Sequence, residues 1–120
     1  MTMDLFPITA APEAIYSDAL RIEPVIGDGM SPRLRDGFDF VLVKPVDRYV
    51  GEGTYVRFNG IGPELICVQN MMDRLRLFRE NPHYSDHYCS KEQFDDSVLA
   101  IVVADIKVRD QRFLTKGARS

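Results

Sequence analysis

The sequence offers only two cysteines, Cys67 and Cys89, too few for a disulfide framework, so a reducing cytoplasm is the expected compartment. Its N-terminus, MTMDLFPITA, lacks the basic start and the apolar stretch of a secretion signal. Long hydrophobic runs are missing as well. The longest, Val98 to Ala104, falls far short of the roughly 20 residues that a membrane-spanning helix needs. Positive charge is not in excess: the formal charge is -3, which gives no global basic field for nucleic acid. No helical period lasts beyond two turns, and there are no internal repeats or low-complexity tracts. What is present, 120 residues with 45% hydrophobic and 28% charged side chains, suits one globular domain.

Residues 1–19 contain Pro7, Pro12 and scattered apolar side chains, and read as an arm or linker with a short helix around Glu13–Leu20. They are too few for a helix-turn-helix reader, so DNA would be met only through a separate domain. From residue 20 to 109 the chain is punctuated strand material. Leu20–Ile26 precedes the turn Gly27-Asp28-Gly29, and Phe38–Val43 is an apolar run broken only by Asp39, as expected of a strand covered on both faces. Gly53–Phe58 and Glu64–Asn70 flank Asn59-Gly60-Ile61-Gly62-Pro63, a hairpin signal. Arg74-Leu75-Arg76-Leu77 alternates as a half-solvated strand does, and Val98–Arg109 begins buried and turns to alternation. The spacing predicts a mainly β fold, a compact barrel or sandwich of five or six short strands, followed by a tail over 110–120.

The segment Gly27-Asp28-Gly29-Met30-Ser31-Pro32-Arg33-Leu34-Arg35-Asp36-Gly37 resembles the nucleophile segment of the LexA-like Ser–Lys peptidases. That family includes phage-repressor C-terminal domains and is related to signal peptidases. Its pattern is Gly-Asp-Ser-Met, then Pro, Leu and an Asp-Gly type of turn before an apolar strand. Gly53-Thr54-Tyr55-Val56, Glu64–Met71, Arg74–Phe78, the turn Asn81-Pro82-His83-Tyr84 and the closing strand Val98–Val108 follow in the family's order, so the resemblance covers residues 20–109. It implies a LexA/signal-peptidase-like β fold in which a Ser hydroxyl attacks a carbonyl and a desolvated Lys takes the proton. The matching positions here are Gly29 and Gln69, 40 residues apart. Glycine has no nucleophile and an amide is no base at neutral pH. The upstream Ala-Gly cleavage bond of the family has only a poor counterpart in Ala10-Ala11-Pro12. The resemblance therefore implies a domain with a lost dyad. Gln69 is expected to project from a strand toward Gly29 at a buried site. The family's self-association makes Val98, Ile101, Val103, Ile106 and Val108 the candidate dimer strand.

Other residues offer sharper readings that the sequence does not favour. Ser31 could be a displaced nucleophile, but it adjoins Pro32, and Lys44 and Lys91 lie in no matching strand context, so it reads as a turn serine. His83, Asp86, His87 and Cys89 have no common zinc spacing, and their segment reads as a surface loop. Arg74, Arg76 and Arg79 could meet phosphates, yet their alternation with Leu75 and Leu77 is that of a solvated strand face. Arg109, Arg112, Lys116 and Arg119 read as a frayed, solvated end. No cofactor or metal is expected. The leading expectation is a non-enzymatic, homodimeric partner-binding module of a transcriptional regulator related to phages or mobile elements. The rivals are a peptidase with another nucleophile, an engineered inactive autopeptidase, and a stand-alone adaptor.

Overall fold

The computed structural model describes residues 19–114. The bond Ala10–Ala11 lies outside them, as do Lys116, Arg119 and all of the expected helix Glu13–Leu20 except Ala19 and Leu20, which are not helical. The fold is mainly β, as the sequence predicts. Seven strands run in chain order: β1 (Arg21–Pro24), β2 (Phe40–Pro45), β3 (Gly53–Phe58), β4 (Pro63–Asn70), β5 (Leu75–Phe78), β6 (His87–Cys89) and β7 (Val98–Ile106). One helix, α1 (Lys91–Asp95), and a 3-10 turn at Gln111–Phe113 complete the described residues. The strands form one antiparallel sheet in the order β1-β2-β7-β3-β4-β5-β6, rather than two stacked sheets.

Each face of this sheet carries its own core. Val25, Met30, Leu34, Val41, Val43, Leu65, Cys67 and Ala100 pack on one face, and Tyr55, Ile66, Val68, Leu75, Leu77, Phe94 and Val98 on the other. β4 contributes Leu65 and Cys67 to the first and Ile66 and Val68 to the second, which is why its sequence is an unbroken apolar run. The first face is covered by the segment between β1 and β2, through Met30 and Leu34. The second is covered by α1 through Phe94, whose ring stands edge-on to Tyr55 at 5.0 Å between centroids.

Two elements depart from the sequence reading. Residues 83–89 are not all loop, since His87–Cys89 pairs with β5 as an edge strand. α1 was hidden by its shortness, although Ser90 and Gln93 form a reciprocal capping box, with Gln93 N–H donating to Ser90 Oγ at 3.0 Å and Ser90 N–H to Gln93 Oε1 at 2.9 Å. The β3–β4 hairpin is as expected. Asn59 Oδ1 accepts from the N–H groups of Ile61 (2.8 Å) and Gly62 (3.0 Å), and Gly60 takes φ 98°, a left-handed backbone that glycine adopts without penalty.

Candidate functional site

The segment between β1 and β2 is pinned at both ends. At its start, Gly27 N–H donates to Asp36 Oδ1 at 2.9 Å. At its end lies Asp39, with no exposed side-chain surface. The Asp39 carboxylate accepts from the Arg35 N–H (2.8 Å), the Arg35 guanidinium (2.8 and 3.1 Å), Lys107 Nζ (2.8 Å) and the Val108 N–H (3.0 Å). The bond from Arg35 is the main cause that holds the Asp39 carboxyl far below the usual carboxylate range. Burial opposes it, and Lys107 and the two backbone N–H groups add to it. A buried charge so fully paired fixes the segment's exit against the end of β7. Asp39 interrupts the apolar run at 38–43 for this reason.

Between these pins the chain turns at Asp28–Leu34, with Ser31 N–H donating to the Asp28 carbonyl at 3.0 Å and a cis peptide at Ser31–Pro32. Met30 is buried, with its sulfur 4.0 Å from that of Cys67 on β4. From the other side the turn is held by Asn81, which is also buried. Its backbone N–H donates to the Gly29 carbonyl (2.8 Å), and its side-chain amide to the Asp28 carbonyl (2.9 Å). The Tyr84 hydroxyl donates to the Asp28 carboxylate, which pushes the phenol's pKa up. The turn Asn81-Pro82-His83-Tyr84 thus braces Gly27–Met30, two segments that the sequence places about fifty residues apart.

Between turn and sheet lies a cleft of about 360 Å³, whose lining includes Asp28, Gly29, Asn59, Glu64, Arg79 and Tyr84. Its floor is an ion-pair group. Glu64 accepts from Arg79 Nη2 at 2.6 Å and from Arg57 Nε at 2.9 Å, and all three side chains are largely shielded from solvent. Burial alone would raise the Glu64 carboxyl. Arg79, Asn59 and Arg57 outweigh it and hold the group below its ordinary value. The Arg79 guanidinium also lies over the Tyr84 ring, 4.9 Å from its centroid.

Among the described residues that line the cleft there is no hydroxyl other than the Tyr84 phenol, no thiol and no amine. Gly29 faces Arg79: a methyl group on its Cα would stand 2.9 Å from Arg79 Cδ. Gln69 lies on the same face of β4 as Cys67, two residues farther along, where Arg76 Nη1 donates to its Oε1 at 3.0 Å. Its amide does not line the cleft that Gly29 borders. Gln69 is also exposed, where a buried site was expected. A lysine there would keep its hydration.

The remaining candidates are placed as follows. Ser31 is half-buried in the turn, while Lys44 sits on β2 and Lys91 opens α1. Asp86 pairs with Arg76 at 2.7 Å, and among the described residues no group of three His, Cys, Asp or Glu side chains comes together to hold a metal. The arginine stripe is engaged: Arg74 over Tyr88 (4.4 Å), Arg76 on Asp86 and Arg79 on Glu64. β7 lies inside the sheet, bonded to β2 and β3, so no free strand edge is open along its paired length. Val98 is core. Ile101, Ile106 and Val108 are half-buried, and Val103, the residue left unpaired where the β2–β7 register shifts, is 52% exposed.

Arg79 is the site residue that the sequence does not reveal. Its alternation with leucines assigned it to solvent, and only the tertiary contact with Gly29 and Glu64 gives it another place. No protein-family model matches this chain, and no curated protein matches it. No helix among the described residues is long and apolar enough to cross a membrane.

Proposed function

We propose that this chain is a catalytically silent LexA-like domain that serves as the self-association and partner-binding module of a cytoplasmic transcriptional regulator of phage or mobile-element type. The observation that carries this reading is the position of Gly29. It occupies the place of the nucleophile in the segment Gly27–Gly37, with an arginine side chain where a hydroxyl would act. Gln69, matched in the sequence to the general base, is neutral, exposed and bonded to Arg76, so no base faces Gly29 from that position. A domain of this kind cannot be switched off by cutting itself, so its control falls to a partner or ligand.

Self-association has a surface to use. Two cross-strand rows, Ile22–Leu42–Ala104 and Pro24–Phe40–Ile106, lie on one face of β1, β2 and β7. None of these six apolar residues is fully buried, and Ile22 is 63% exposed. An apolar face of this extent, left uncovered by the described residues, favours a second copy of the chain.

The reading is tested on the purified chain at alkaline pH, where family members cleave themselves. It should stay a single intact band and take no stoichiometric adduct from serine-directed acylating reagents. Time-dependent fragments, or an adduct on Ser31, would show a working peptidase instead.

A further inference from the structure

The Gly29–Arg79 contact has two sides, and the second concerns access. Gly29 is not one of the glycines with positive φ, so its backbone does not demand a glycine. Room is what is short. A methyl group at residue 29 would meet Arg79 Cδ at 2.9 Å, Cγ at 3.4 Å and Nε at 3.5 Å, which is the middle of the side chain. That middle cannot swing aside freely, because the guanidinium is fastened beyond it, to Glu64 at 2.6 Å and over Tyr84 at 4.9 Å. Tyr84 is tied back to Asp28 in turn. The chain of contacts Gly29–Arg79–Tyr84–Asp28 closes a ring across the cleft.

We propose that Arg79 plugs one point of this cleft, its methylenes seated on Gly29, so that a ligand group takes the place of a side chain at residue 29 only when Arg79 releases Glu64 and swings out. The device rests on the reading of Gly29 as the emptied nucleophile position for its meaning, but on the contacts alone for its existence. It implies that the glycine and the arginine are coupled. A side chain at 29 and the present seat of Arg79 exclude each other. An empty position 29 and a seated Arg79 are then one structural state.

The test uses the full chain in a double-substitution cycle followed by urea unfolding. Gly29→Ala should lower the urea midpoint of the native chain and leave that of the Arg79→Ala chain unchanged, a coupling that additive, unrelated sites do not show. Equal midpoint shifts in both would overturn the plug. The readout does not depend on peptidase activity, so a failure of the plug is distinguishable from a failure of the dead-peptidase reading, which shows only as cleavage or acylation.

Discussion

Asp39 is the residue on which the geometry of the cleft segment depends most. Its carboxylate is sealed from solvent, while its partners Arg35 and Lys107 remain about half exposed. Replacing it with asparagine keeps the shape but removes the charge, leaving two cations and two backbone N–H groups short of an acceptor. The expected loss is about 3 kcal/mol of unfolding free energy in urea titrations. The sign of the pH dependence follows from the lowered carboxyl. An unfolded aspartate titrates near about 3.9, so the contribution is full above that pH and is withdrawn as pH falls from there toward the depressed folded value. Stability of the native chain should therefore fall more steeply below about pH 4 than that of Asp39→Asn. Parallel curves would show that the carboxylate is not the group being titrated. Met72 gives a smaller prediction of opposite sign. It sits in the β4–β5 turn with φ 76° and is 90% exposed, so its side chain gains no burial for a left-handed backbone. Met72→Gly should raise stability by about 0.5 kcal/mol, the strain relieved less the extra chain entropy of glycine.

At the scale of elements, the second core depends on a helix of five residues. α1 has too few turns to stand by itself. Its capping box fixes its start, and Phe94 is the one side chain it buries. Phe94→Ala should cost about 3–5 kcal/mol and Ser90→Ala about 1 kcal/mol, both by denaturant unfolding. A loss below 1 kcal/mol for Phe94→Ala would mean that α1 does not hold that face. The same element marks the limit of what the sequence shows. Strands with six or eight residues and a clear period were legible: β3 matches the expected Gly53–Phe58 end to end, and β4 differs by one residue. β6 was not, because three residues cannot display an alternation and His87, Tyr88 and Cys89 are held by pairing with β5. α1 could have been found from Ser90 and Gln93, a spacing of three that fits a helix start. The segment around Gly29 was legible as a motif. The seat of Arg79 was not, because it depends on β5 bringing residue 79 beside a turn fifty residues earlier, and nothing local to either segment encodes that approach.

The whole molecule buries apolar side chains on both faces of its sheet but does not cover them equally. Among the described residues, the loop after β1 shields one face and α1 the far half of the other, and no other element covers the β1-β2-β7 end of that second face. Because β7 is an interior strand, a second copy cannot pair along it, and uses the apolar rows by packing face to face. Val103 is the sharpest probe of this arrangement. At 52% exposure it contributes little to the folded chain, so Val103→Glu should leave the far-UV spectrum unchanged. In a face-to-face dimer the same carboxylate would be buried without a partner, which association could not tolerate. Ile22→Glu, on β1 and remote in sequence, tests the same face from its other side. In sedimentation equilibrium at micromolar concentration the native chain should run as a dimer and both variants as folded monomers. A native chain that is monomeric across the range would mean that the apolar rows are covered in some other way. A dimer that survives both substitutions would place the interface elsewhere on the molecule.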